Sequence, residues 1–213
     1  MSTTLYLIVE CQNPDCQFRF PATSHKPQVC PNCRQDNLVY KTIDPLQIDA
    51  VPPIPASPLC GALLDNIRSI YNVGSIFRTA DGLSLKYLHL CGITATPEHI
   101  RLSKTALGSE NSITWTHHLN GLNAAHSLID QGYQLWALEG GPGSTSIFDL
   151  DSINPSQKVI LVVGNEIVGI DPDILSLCSR TLFIPMQGIK GSLNVSVAFG
   201  IAAYHLRFSI HPV

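Results

Sequence analysis

Charge is scarce in this sequence. Asp, Glu, Lys and Arg make up 14% of its 213 residues, and the formal net charge is −3. Such a chain has no global basic field, which counts against a nucleic-acid partner held by net charge and leaves a local patch as the means of holding one. Long apolar runs are missing too. None reaches the roughly 18 residues that a membrane helix needs. The opening MSTTLYLIVECQ has neither a basic n-region nor an uninterrupted apolar stretch of signal-peptide length. The expectation is a cytoplasmic protein with no membrane partner. Internal repeats are absent. EGGPGSTS, from Glu139 to Ser146, lacks the Gly-Lys-Ser/Thr ending of a P-loop and the spacing G-x-G-x-x-G; it reads as a flexible loop near a pocket. His117-His118 has no partner at metal-ligand spacing and reads as a surface pair.

Cysteine and proline are plentiful. The seven cysteines are an odd number in a chain without a secretion signal, which argues against a disulfide framework. Cys60, Cys91 and Cys178 are scattered and read as small buried apolar residues. The other four are grouped: CQNPDC gives Cys11-x4-Cys16 and CPNC gives Cys30-x2-Cys33. Two such knuckles bring four thiolates within reach of one tetrahedral ion, and thiolate softness favours Zn²⁺. A rubredoxin-type iron site and four unrelated buried cysteines are the alternatives. Residues 1–43 are too few to build a sufficient core, so a metal would supply much of their folding free energy. Four protein ligands leave no open position, so the role would be structural. Arg19, Lys26, Arg34 and Lys41 are matched by Glu10, Asp15, Asp36 and Asp44, which leaves open whether this zinc-ribbon-like module docks RNA. Residues 44–58 then hold Pro45, Pro52, Pro53, Pro55 and Pro58, an extended and semi-rigid linker.

From 59 to 213 the pattern alternates. Helix signals cover 66–82, 121–130 and 192–208; strand signals cover 86–91, 133–138, 158–163 and 181–184. This is an α/β pattern: a mostly parallel sheet with helices on both faces. Ligands in such sheets sit beyond the carboxyl ends of the strands, so the loops after Leu138, Val163 and Ile184 are the candidate site.

Three polar clusters interrupt the apolar pattern. In NIRSIYNVGSIFRTADG, the residues Asn66, Arg68 and Asn72 gather near a helix start, where free backbone N–H groups favour an anion. Gly74 costs a helix about 1 kcal/mol relative to alanine, which points to close approach of another helix or a ligand. Arg78 taken alone reads as one half of a surface salt bridge. In VVGNEIVGID, Gly164, Asn165 and Glu166 follow a buried strand; the glycine would let a ligand meet the backbone. In IPMQGIKGSLNVSVAFGIAAY, Ser192 and Asn194 precede a helix with almost no polar face. Such a helix must be buried on several sides, and Ser192 is a candidate N-cap.

Taken in order, these three stretches resemble motifs one, two and three of the SpoU (TrmH-type) RNA ribose methyltransferases of the SPOUT class. KTALGSENSITWTHH, from Lys104 to His118, resembles the segment between motifs one and two. The cysteine module is a departure from the family core. The resemblance implies a C-terminal trefoil knot, a homodimer paired through the last helix, and an RNA substrate, tRNA or rRNA. It implies S-adenosylmethionine held near Leu138, Gly164, Ile184 and Leu193. It implies a catalytic set of Arg78 at the ribose 2′-hydroxyl, with Asn72, Glu166, Ser192 and Asn194 positioning it and the substrate. A base-methylating SPOUT enzyme and a non-catalytic RNA-binding adaptor with a degenerate knotted domain are the alternatives.

Overall fold

The computed structural model describes residues 6–23, 26–43, 57–150, 154 and 156–208. The chain divides into two compact units, Met1–Ile54 and Pro55–Val213. Of the linker expected at 44–58, only Ser57 and Pro58 fall among the described residues.

In the first unit, β1 (Tyr6–Cys11), β2 (Arg19–Thr23) and β3 (Leu38–Ile43) form an antiparallel sheet in the order β2-β1-β3. Strand periodicity divides β1 into two faces: Leu7, Val9 and Cys11 are buried, and Tyr6 is exposed. Val9 lies opposite Phe20 on one side and Tyr40 on the other. Two tight turns interrupt the sheet. The N–H groups of Cys16 and Gln17 both donate to the Asn13 carbonyl, and Arg34 N–H donates to the Cys30 carbonyl. Gln17 and Arg34 carry the left-handed residues of these turns, with φ of 48° and 64°.

The second unit comprises β4 (Leu59–Asp65), α1 (Ile70–Gly82), β5 (Tyr87–Cys91), α2 (Leu102–Ala106), β6 (Thr114–His118), α3 (Gly121–Asp130), β7 (Gln134–Leu138), β8 (Thr145–Ser146), β9 (Val159–Val163), α4 (Pro172–Ser176), β10 (Arg180–Phe183) and α5 (Val195–Phe208). Its seven strands run in the order β6-β5-β4-β9-β7-β10-β8, and every pair is parallel. The expected mostly parallel sheet with helices on both faces is what forms. Side chains of β9, VILVV, are buried throughout, as a central parallel strand requires. Leu161 and Val163 face a core with Phe77 of α1 and Phe199 of α5. Ile160 and Val162 face a second core with Ala125 of α3 and Ile174 of α4.

Two helix starts differ from the sequence reading. The first helix begins at Ile70 rather than at residue 66. Asn66 takes φ of 55°, and Ser69 caps the helix by accepting from Asn72 N–H. The last helix begins at Val195. Its cap is Asn194, whose side chain accepts from the N–H groups of Ser196 and Val197, so Ser192 is not the N-cap. Gly74 is explained by a neighbouring helix: a Cβ there would collide with Thr105 of α2.

Candidate functional site

The carboxyl ends of β7, β9 and β10 open into a cavity of about 540 Å³. Leu138, Gly164, Ile184 and Leu193, the four residues expected to hold a cofactor, all line it. Of the expected catalytic set, Glu166, Ser192 and Asn194 also line it. Gly164 serves its own chain first, because a Cβ there would run into the backbone of Gly169 and Ile170. That close approach folds the 165–169 loop back on itself, with Asn165 and Gly169 exchanging backbone hydrogen bonds.

Glu166 is the hub of the polar set. Its carboxylate accepts from Arg68 N–H at 2.9 Å and from Ser69 N–H at 3.0 Å. It also accepts from Asn72 Nδ2 at 2.8 Å. The anion that the start of α1 attracts is therefore this internal carboxylate. Partial desolvation pushes the Glu166 carboxyl up, but donors from Arg68, Asn72 and Ser69 outweigh it and hold the group below the usual carboxylate range. Asn72 continues the chain: its Oδ1 accepts from Asn194 Nδ2 at 2.9 Å. One amide thus donates to Glu166 and accepts from Asn194, which fixes its orientation and ties the starts of α1 and α5 to the β9 loop.

Further cross-braces hold the same loop. Asn165 Nδ2 donates to the Asn66 carbonyl at 2.7 Å. Ile170 N–H donates to Glu139 at 3.1 Å, and Asp171 N–H donates to the buried Asp65 carboxylate at 2.8 Å. Glu139 also lines the cavity. Sequence reading missed both carboxylates. Each stands at the carboxyl end of a strand, or one residue past it, and that position was the available signal.

Arg78 lies elsewhere. It is exposed, is not among the cavity-lining residues, and has no hydrogen bond or ion pair among the described residues. It belongs to an exposed row on α1 that includes Tyr71, 74% exposed, and Ser75. Helices α1 and α5 run side by side in the same direction. Asn72 meets Asn194, and the Cβ positions of Gly200 and Gly82 lie 4.0 Å from Thr79 and 3.1 Å from the Tyr204 hydroxyl. On α5, Phe199, Ala202, Ala203 and Leu206 are buried. Val197, Ile201, Tyr204 and Phe208 form an apolar stripe that is 37–49% exposed. The helix is thus buried on one side within its own chain, and its remaining apolar face is open.

In the first unit, the sulfurs of Cys11, Cys16, Cys30 and Cys33 all lie within 4.8 Å of one another. Cys11 and Cys33 are 3.5 Å apart, and Cys16 and Cys30 are 3.9 Å apart. Four sulfurs bound tetrahedrally to one ion at about 2.3 Å would stand about 3.8 Å apart, so the donor set fits zinc. Hydrogen bonds from the Asn32 side chain and the Phe18 backbone lower the Cys16 thiol to about 7. At Cys11 the Asn13 backbone N–H acts downward, but desolvation and the neighbouring sulfurs push the thiol up to about 12.

Residues 61–204 match the model of the SpoU rRNA Methylase family. The chain is 31% identical over 146 residues to the tRNA (guanosine(18)-2'-O)-methyltransferase of Aquifex aeolicus, covering 67% of this chain and 66% of that protein. It is 32% identical over 175 residues to the 23S rRNA (guanosine(2553)-2'-O)-methyltransferase RlmP of Bacillus subtilis, covering 79% and 68%. The chain thus spans about two thirds of the length of these curated relatives. Among solved structures, the SpoU methyltransferase AviRb from Streptomyces viridochromogenes, in complex with the cofactor AdoMet, matches with a TM-score of 0.63 at 26% identity. That match covers 82% of this chain and 69% of AviRb.

Proposed function

This chain belongs to the SpoU rRNA methylase family, and from that premise we propose that it is an S-adenosylmethionine-dependent RNA methyltransferase acting on a ribose 2′-hydroxyl of tRNA or rRNA. The observation that carries the reading is the Glu166–Asn72–Asn194 chain of hydrogen bonds at the rim of the cavity. A decayed site would have no reason to keep three mutually oriented polar residues in contact.

The cavity suits S-adenosylmethionine. Leu138, Ile184 and Leu193 offer apolar walls for an adenine ring, and Gly140 and Gly191 leave backbone accessible. When bound, S-adenosylmethionine supplies an electrophilic methyl group. The chain's own residues do the rest. Asn194 and Ser192 stand at the mouth where the acceptor hydroxyl would enter, and Asn72 and Glu166 hold Asn194 in place. Arg78 brings a planar guanidinium with a fork of N–H donors, suited to binding charge rather than acting as a base. Its role is to stabilise charge developing on the 2′-oxygen and to bind an adjacent phosphate, while the hydroxyl proton leaves to phosphate or water.

The exposed position of Arg78 is consistent with a homodimer paired through α5. The open stripe from Val197 to Phe208 is the face such a partner would cover. Arg78 lies on the α1 row next to that stripe, so pairing brings it to the interface rather than into the cavity of its own chain. The same reading includes a C-terminal trefoil knot and a three-part organisation: a zinc ribbon at 1–43, a linker at 44–58 and the methyltransferase domain at 59–213. The four cysteines would hold zinc in a structural role. Among the described residues no helix is long and apolar enough to cross a membrane, in keeping with an enzyme that works on RNA in the cytoplasm.

The test is direct. Total tRNA and rRNA are incubated with the protein and S-adenosylmethionine, then digested to nucleosides. A 2′-O-methylated nucleoside is the expected product. A base-methylated product, or no cofactor binding by calorimetry, overturns the proposal.

A further inference from the structure

The paired histidines at 117–118 are not used by the methyltransferase site, and the parallel register gives one of them a partner that linear spacing hides. β5 and β6 pair with His89 opposite Thr116 and Cys91 opposite His118. Residues 89, 116 and 118 therefore share one face of the sheet at its β6 edge. His117 points the other way, and its Nε2 lies 3.0 Å from the Gly92 carbonyl. On the shared face three atoms converge. His89 Nδ1 and His118 Nε2 are 3.3 Å apart, and Thr116 Oγ1 is 3.0 Å from the first and 2.9 Å from the second.

Two nitrogens bound to one zinc-like ion at about 2.05 Å and the tetrahedral angle would stand about 3.3 Å apart. The observed spacing is thus that of two ligands sharing one ion. We infer that His89 and His118, with the Thr116 hydroxyl, form a second metal site for a divalent transition ion of the imidazole-preferring class, Zn²⁺, Ni²⁺ or Cu²⁺. The site is distinct from the cysteine cluster and independent of the methyltransferase reading.

Three features support it. Among the described residues, neither ring has a carboxylate partner to compete for it. The three donors stand on two hydrogen-bonded strands, so the cluster is pre-organised. Thr116 is exposed and the two rings are half-buried, which gives an ion an entry path and leaves a coordination position for water or an anionic oxygen. A hydrogen-bonded triad without metal, running from one ring through the hydroxyl to the other, is the competing account.

Full-length protein with zinc in its cysteine cluster is titrated with Co²⁺ and followed by absorption. Cobalt on imidazole and oxygen gives visible d–d bands without the near-ultraviolet sulfur-to-metal charge transfer that thiolate-bound cobalt shows, so the two sites are counted separately. One equivalent of sulfur-free cobalt is expected. His89→Gln and His118→Gln should each weaken it by about tenfold or more, and His117→Gln should leave it unchanged. No sulfur-free equivalent, or the same uptake in all three variants, overturns the site in favour of the hydrogen-bonded triad.

Discussion

In the small unit, the buried apolar residues among those described are Leu7, Val9, Cys11 and Cys30, so half of them are members of the sulfur cluster. In the large unit, whole side chains such as Trp136, Phe77, Phe199 and Leu161 are sealed between a seven-stranded sheet and helices on both faces. The first has too little apolar surface to order its own backbone. The second gains its stability from packing that needs no ion. With zinc bound as proposed, one chain joins a fold that depends on its donor atoms to a fold that depends on its volume.

The sharpest way to break this contrast is to remove a sulfur. Cys30→Ser should unfold the small unit, because structural zinc contributes on the order of 10 kcal/mol to such modules. The large unit should melt as before. Limited proteolysis and calorimetry read both outcomes, and a chelator should reproduce them in the unaltered chain. The converse is Phe77→Ala, which should destabilise the large unit by about 3–5 kcal/mol and leave the metal content of the small one unchanged.

Within the large unit, the comparison runs between the cavity and the exposed row on α1. Arg78→Ala should lower single-turnover methyl transfer by about 10²–10³-fold, with cofactor affinity by calorimetry nearly intact. A comparable loss of affinity would put Arg78 in the cavity after all. A smaller effect belongs to Glu166→Gln. Removing the charge that caps α1 should cost about 1 kcal/mol. Because the carboxyl is held below its ordinary range, its contribution is complete above the unfolded pKa, near 4.3. It is lost as pH falls through the lowered folded value. Denaturation midpoints measured against pH should show this acid limb in the unaltered chain and a flatter one in the variant.

Much of the sheet could be read from the sequence because buried parallel strands such as KVILVV leave a continuous apolar run. Leu59–Asp65 escaped that reading: Gly61 and Ala62 are poor strand formers, and tertiary pairing with β5 and β9 overrides the preference. The short α2 and α4 escaped as well, since one turn and a half carries too little periodicity. The cofactor loops were found because glycine and polar residues interrupt apolar strands. Glu166, Arg68 and Asn72 were each named, but the hydrogen bonds that join them were not, since contacts spanning nearly a hundred residues leave no local trace. For the same reason the start of α1 read as an anion site open to ligands, when the chain fills it from within. His89 and His118 were separated by the same distance in sequence that the register removes.

The parallel run of α1 and α5 has one more consequence. Asn194 faces the cavity and grips Asn72, which in turn grips Glu166 at the first turn of α1. Anything entering the cavity that turns the Asn194 amide would leave Asn72 half-satisfied and loosen the helix whose outer side carries Arg78. Occupancy within and readiness without would then be two readings of one equilibrium, each shifting the other by the same factor.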